Sequence, residues 1–317
     1  MINVSYNKIK SLVSIQESID VIAKGYSDLS RGIVSAPLRT KIETDNNSTI
    51  LIMPAYRSKG RYFVTKIVSV NNSNSNKSQM ISAHIKVFCA NTGKKIAILN
   101  GDIITSMRTG AASGIATKIL SNKSVDTLAI FGTGVQANSQ IEYITHVRSI
   151  KRIFVYGRDL ISSKKFAKNI SKNLNIDVNI GTNDDLSKVD IISTVTPSRN
   201  PLFDHENLKP GVHINAIGSF KPSMVEIPIE TIISSNVFVD SIGACKDEAG
   251  DLINARVILT ASSSNGVRGV LPGGYGGSDV NHIEYITITT TGNGSDFGDL
   301  NLARRGLSGS SDSHGGL

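Results

Sequence analysis

The chain opens on an amphipathic pattern. Ser14-Ile15-Gln16-Glu17 has the S-x-x-E form of a helix capping box, and Ile15, Ile19, Ile22 and Tyr26 then recur at helical spacing. A helix of about three turns is predicted there. From Ile33 to Val70 the apolar runs become short and strand-like: Ile50 to Met53, stopped by Pro54, then Tyr62 to Val68. Asn71 to Asn76 is polar enough for a surface loop, and Ile81 to Phe88, the turn Asn91-Thr92-Gly93 and Ile96 to Leu99 read as a hairpin. The first third is therefore expected to be β-rich behind one leading helix.

A second helix is predicted from near Asp102 or Thr105 to Leu120, much of it small: Gly110, Ala111, Ala112, Gly114 and Ala116. Each glycine costs a helix about 1 kcal/mol against alanine, so another element is expected to pack very close to that face. The texture then turns α/β. Thr127 to Phe131 is a buried-strand run, Gly132 to Ala137 a glycine turn and Ser139 to Val147 a helix. Arg152 to Tyr156 is a second strand, and Ser162 to Leu174 a basic amphipathic helix. Strand-like stretches continue at Ile191 to Thr194, Val212 to Ile217 and Val237 to Val239. Alternation of this kind predicts an α/β fold, a Rossmann-type doubly wound parallel sheet, joined to the β-rich N-terminal part. From Ser262 the chain is rich in glycine and serine. A β-prone run at Ile283 to Thr291 follows, and LSGSSDSHGGL is expected to be a disordered tail.

Composition narrows the chemistry. With 39% apolar and 19% charged residues among 317, the chain can bury a core. No run is long and apolar enough for a membrane helix and the start lacks a secretory core, so a cytoplasmic location with no membrane partner is expected. Lys plus Arg exceed Asp plus Glu, 34 against 26, a balance that suits nucleic acid, phosphorylated cofactors or anionic substrates. Nucleic acid is the poorest of these, because the lysines are scattered, tryptophan is absent and aromatics are few. Cys89 and Cys245 lie far apart outside any CxxC spacing, and the histidines show no HxxxH or HExxH. Buried thiols, a reducing compartment and no metal site are expected.

The sharpest motif is Gly132-Thr133-Gly134-Val135-Gln136-Ala137, a GxGxxA sequence between an apolar strand and a helix. Glycines there permit a tight turn and let backbone N–H groups approach a pyrophosphate, while alanine in third place still allows close helix packing. The next strand ends Tyr156-Gly157-Arg158, with Lys164 and Lys165 one turn into the following helix. Those cations favour NADP; Asp159 directly behind keeps NAD possible. Three further cations stand at the ends or interiors of elements: Arg39 after Pro37, Lys66 inside an apolar strand, and Arg108 near the start of the small-residue helix. Arginine forks grip carboxylates, and a lysine in a dry strand can be tuned for proton transfer.

Three motifs in order, Asn100 to Lys118, the Gly132 turn, and Gly211 to Gly218, make the chain resemble the ornithine cyclodeaminase/mu-crystallin family over about residues 10 to 300. The resemblance implies a homodimer whose protomer has a substrate and dimerisation domain (1–104 with 284–306), a dinucleotide-binding domain (105–283) and a tail (307–317). It implies that Arg39 and Arg108 hold a substrate α-carboxylate and that Lys66 is the active-site lysine, binding substrate and moving protons. Gly132, Gly134, Val135 and Gln136 match the pyrophosphate turn, and Gly157 with Arg158 the adenosine-phosphate position. Arg108, Thr109, Thr196, Ile217 and Thr290 match further cofactor contacts. One departure bears on mechanism: where cyclodeaminases carry an aspartate, this chain has Phe220 in Gly218-Ser219-Phe220-Lys221-Pro222. A phenyl ring cannot accept a proton, and the form resembles the reductase side of the family. The resemblance thus implies an NAD(P)H-dependent reductase of a small cyclic imino acid or ketimine, such as pyrroline- or piperideine-2-carboxylate. A cyclodeaminase or alanine-type dehydrogenase acting on a 2-amino carboxylate, and a cofactor-dependent ligand-binding protein, stay open as alternatives.

Overall fold

A computed structural model describes residues 2–45, 48–70, 81–241, 245, 250, 263–264, 268–275, 279–287 and 295–299. The polar stretch at 71–76, Thr290 and the tail at 307–317 lie outside the described residues. The chain divides into two compact units, one of residues 2–196 and 206–218, the other of 197–205 and the described residues from 219 onward.

The first unit holds two sheets. Strands β1 (Ile2–Val4), β2 (Val34–Ser35), β3 (Thr40–Glu43), β4 (Thr49–Arg57), β5 (Tyr62–Val70), β6 (Ile81–Cys89) and β7 (Lys95–Asn100) lie in the order β1-β7-β6-β5-β4-β2, with β3 also on β4. All neighbours are antiparallel except β1 with β7. The strand expected to stop at Pro54 runs through it. β2 ends opposite Tyr56 and β3 begins opposite Ile52, so on that edge the missing N–H falls in a gap of the ladder. Helices α1 (Tyr6–Leu12) and α2 (Ile15–Ser30) lie between β1 and β2 in the chain, α1 being unforeseen. The capping box forms as the sequence predicts: Ser14 Oγ accepts from the Glu17 N–H at 3.2 Å and Glu17 Oε2 from the Ser14 N–H at 2.9 Å.

The second sheet comprises β8 (Thr127–Phe131), β9 (Arg152–Tyr156), β10 (Asp177–Ile180), β11 (Ile191–Thr194) and β12 (His213–Ala216), in the order β10-β9-β8-β11-β12 and parallel throughout. That is the doubly wound arrangement the alternating pattern predicts, with the order reversing between β8 and β11. Leu128, Ile130, Ile153, Val155 and Ile191 are wholly buried, as strands covered on both faces require. Between the sheets runs α3 (Gly101–Leu120); α4 (Val135–Val147) and α5 (Leu160–Leu174) follow β8 and β9. Two expectations need correction. The helix after the glycine turn starts one turn earlier than Ser139, because Gly134 serves as its N-cap. Val237 to Val239 forms no strand and is largely exposed, having no strand alongside among the described residues. Neither cysteine is in a disulfide, and both are only half-buried.

The second unit, taken by itself, pairs its two chain segments through Leu202 N–H to Glu226 O (2.9 Å) and Val225 N–H to Ser198 O (2.9 Å). It also contains α6 (Ile229–Ile233) and an antiparallel sheet of β13 (Ser263–Ser264), β14 (Arg268–Tyr275), β15 (Asp279–Thr287) and β16 (Ser295–Asp299). Among the described residues no helix is long and apolar enough to cross a membrane.

The small face of α3 explains its glycines. A Cβ on Gly110 would lie 2.4 Å from Ser139 Oγ and 2.5 Å from the Tyr143 ring, whereas one on Gly114 would meet only ordinary contacts at 3.5 Å. Ser139 Oγ is itself fixed by donating to Ser106 O at 2.7 Å, so it cannot yield cheaply. Gly110→Ala is therefore expected to destabilise the protein by about 1–2 kcal/mol through overpacking, helix propensity notwithstanding. Gly114→Ala should be neutral or stabilising by up to about 1 kcal/mol. Urea midpoints of the two variants check both signs.

Candidate active site

The doubly wound sheet presents its strand ends in register. Phe131 pairs with Tyr156 and with Thr194, and Thr194 with Ala216, so Gly132, Gly157, Val195 and Ile217 all stand one residue beyond the carboxyl ends of adjacent parallel strands. Ligands of open parallel sheets bind at this edge, beside the reversal of strand order. Gly132 has φ +110°, which side chains resist, and its N–H donates to Tyr156 O at 2.8 Å. A Cβ there would also press to 3.0 Å from Val195 O. Gly134 differs: its φ of −85° suits any residue and a Cβ would meet nothing within 4 Å. The fold does not demand a glycine there, yet this residue opens the N-terminus of α4 with no side chain capping it.

Helix N–H groups facing open space beside a glycine make a site for a phosphate. Val135 is exposed on the first turn, and Gln136 next to it keeps a buried Oε1 with no hydrogen-bond partner. An orphaned amide in that place fits a bound polar group. At the tip of β9, Gly157 leaves room for Ser163 Oγ, which would lie 2.4 Å from a Cβ. Arg158 is exposed. Asp159, which the sequence leaves as a candidate ribose acid, is the N-cap of α5: its Oδ2 accepts from the Ser162 N–H at 2.7 Å, a bond that holds its carboxyl below the usual range. Thr196 and Ile217 lie half-buried past β11 and β12, Ile217 N–H donating to Thr194 O at 3.0 Å.

The cation cluster forms on the other sheet. Lys66 sits on β5 opposite Met53 and Ile85, half-buried, with its pKa pushed down to about 8. Burial is the main cause; Arg108 and then Arg39 add like-charge repulsion, while Asp102 pulls the other way. Arg39, half-buried between β2 and β3, and Arg108, exposed on α3, are thus both close enough for their charges to act on the lysine. Thr109 is buried and its hydroxyl donates to Thr105 O at 2.7 Å. Asp102 was not singled out by sequence, since an acid in the first turn of a helix is ordinary.

α3 joins the two halves of this region. Ser106 contacts Ser139, Gly110 meets Ser139 and Tyr143, and Gly114 meets Tyr143, so α3 and α4 advance side by side in the same direction. Their first turns are level. The open N-terminus of α4 therefore lies at the same end of the helix pair as Asp102 and the sheet that carries Lys66. Two guanidinium groups and a lowered lysine suit a carboxylate bearing a basic nitrogen, held beside a phosphate-binding turn. Phe220 is the exception to this grouping. It belongs to the second unit, partly exposed, with Lys221 Nζ 5.8 Å from its ring centre.

Comparison with known proteins agrees with this geometry. The model of the Ornithine cyclodeaminase/mu-crystallin family matches residues 2–280. A Delta(1)-pyrroline-2-carboxylate reductase of Bacillus thuringiensis subsp. konkukian is 35% identical over 257 residues, 80% of this chain and 79% of that protein. The ketimine reductase mu-crystallin of Rattus norvegicus is 32% identical over 243 residues, 76% and 77% of the two chains. Among solved structures, Thermococcus litoralis Delta(1)-pyrroline-2-carboxylate reductase in complex with NADH and L-proline superposes with a TM-score of 0.76 at 34% identity, covering 80% of each chain.

A lysine with a pKa of about 8 is half neutral at that pH, whereas an ordinary lysine near 10.4 is almost fully charged. The rate of reductive methylation at Lys66, followed by peptide mass spectrometry, should therefore level off above a pH of about 8. Labelling of an ordinary lysine amine, with its value near 10.4, should go on rising through pH 10.

Proposed function

The chain belongs to the ornithine cyclodeaminase/mu-crystallin family, and from that premise we propose that it is an NAD(P)H-dependent reductase of a small cyclic imino acid or ketimine. The observation that carries this reading is the conjunction of the Lys66, Arg39 and Arg108 cluster with relatives named for imine reduction at a third identity or more over four-fifths of the chain. Phe220 supports it, since the aspartate expected of a cyclodeaminase is replaced by a ring that takes no proton.

In this reading Arg39 and Arg108 grip the carboxylate, which fixes the adjacent C=N carbon, and orientation of this kind lowers a barrier by several kcal/mol. Gly132, Gly134, Val135, Gln136, Gly157 and Arg158 hold a nicotinamide dinucleotide, with Arg108, Thr109, Thr196 and Ile217 completing its contacts. When bound, that cofactor supplies the hydride that forms the new C–H bond. Lys66 Nζ gives a proton to the imine nitrogen as the C=N π bond becomes a lone pair, and regains one from water. The products are a cyclic amino acid and the oxidised cofactor.

NADPH is the proposed partner rather than NADH. Arg158 stands exposed at the tip of β9, and the carboxylate of Asp159 is committed to capping α5, which leaves a cation and not an acid for the ribose. The reading extends to a homodimer and a cytoplasmic setting, supported by exposed apolar side chains at Leu38 and Ile42 and by two cysteines outside any disulfide.

The decisive assay follows NADPH and NADH absorbance with preformed pyrroline- and piperideine-2-carboxylate, alongside ammonia release from ornithine. Cofactor oxidation without ammonia is expected; ammonia release without imine reduction would overturn the reading. With one charged contact to the carboxylate gone, Arg108→Ala should lower kcat/KM by roughly 10- to 100-fold. Because Lys66 donates a proton in reduction, kcat/KM should hold below a pH of about 8 and fall above it, while oxidation of the cyclic amino acid should rise through the same pH. Arg158→Ala should erase the preference for NADPH, and Gly134→Val should weaken cofactor binding while costing the fold no more than about 1 kcal/mol as a poorer N-cap.

A further inference from the structure

Asp102 has a fixed place that the proposed reaction does not yet use. β7 ends at Asn100, opposite His84, so the next N–H of β6, that of Ala83, has run out of strand partner on that side. The Asp102 carboxylate takes it: Oδ1 accepts from the Ala83 N–H at 2.8 Å. The first turn of α3 lies hard against this point, since a Cβ on Gly101 would come within 2.6 Å of the Ala83 backbone. Ala83 pairs with Val68 and Ile85 with Lys66, so all four side chains share one face of the sheet. Lys66 and Ala83 are diagonal neighbours, about 7–8 Å apart at Cα, well within reach of a lysine side chain.

The charged groups acting on Lys66 from the surrounding elements are Arg39 before β3, and Arg108 and Asp102 on α3. Its partners Met53 on β4 and Ile85 on β6 carry no charge, and Lys86, opposite Thr65, points to the other face. Of these groups one is an acid. Resting on the reductase reading above, we propose that Asp102 is a positioning residue for Lys66: anchored on the β6 backbone, its carboxylate holds the ammonium at the reacting end of the site against the push of the two guanidinium groups. The lysine then remains a proton donor beside the two arginines that grip substrate.

The test replaces Asp102 by asparagine, whose amide oxygen can still accept from Ala83 and so preserves the sheet contact. Asp102→Asn is expected to move both the falling limb of kcat/KM for imine reduction and the midpoint of Lys66 methylation to lower pH by roughly one unit. Asp102→Glu should restore the midpoint in part. If Asp102→Asn melts as the wild type does and both midpoints stay where they were, the proposal is wrong. Should Asp102→Asn fail to fold, the methylation midpoint of Asp102→Glu against the wild type decides in its place, an unchanged value overturning the proposal. Methylation needs no turnover, so a wild type that reduces no imine would sink the reductase reading while leaving the role of Asp102 still measurable.

Discussion

The closeness with which α3 approaches its neighbours governs the rest of the first unit. Its glycines meet other chain at both ends of the scale: Gly101 against the Ala83 backbone, Gly110 against Ser139 and Tyr143. Two sheets of different kinds thereby share a single helix, which Thr117 ties to β12 through Asn215 Nδ2 at 2.9 Å. Arg148 closes the carboxyl end, donating to the carbonyls of Thr117, Lys118 and Ser121 at 2.9–3.2 Å. A helix so fixed at start, middle and end acts as a ruler. It sets the cation cluster on one sheet at the same level as the strand tips of the other.

The same placement creates an electrostatic tension. Burial and two arginines work against a charged Lys66, and a lysine made too acidic would reach the substrate already neutral. On the proposed reading, a value of about 8 suits a group that must both give and regain a proton near neutral pH. Both arginines are kept, on the same reading, for the carboxylate that their forks match, so the balance falls to the first turn of α3.

Much of the doubly wound sheet was legible because strands buried on both faces read as near-continuous runs of apolar and β-branched residues, as at residues 128–131 and, with a polar end, Ile191–Thr194. β10 escaped notice: Ile176, Val178 and Ile180 alternate over too short a span, right after a helix. The β-branched run at Val237 to Val239 misled for the opposite reason, since propensity without a strand alongside makes no sheet. Pro54 hid the length of β4 because the gap between β2 and β3 is a tertiary fact. At the site, the glycine turn could be read from local chemistry, whereas Arg39, Lys66 and Arg108 lie far apart in sequence and were joined only by family likeness. Asp102 carried no signal at all. Its meaning comes from β7 ending one residue early.

That ending also bears on the direction of the chemistry. Cyclodeamination asks for an amine to be deprotonated before hydride leaves and for a second nitrogen to attack, so it profits from a carboxylate that is at liberty to take protons. The first unit brings Asp102 toward Lys66, but this acid is already bonded to a backbone N–H, and its charge favours the protonated lysine. Where the family's aspartate would stand, Phe220 offers a ring. An ammonium poised to give a proton, with the usual acceptor replaced, favours adding hydrogen across a C=N bond over removing it from an amine.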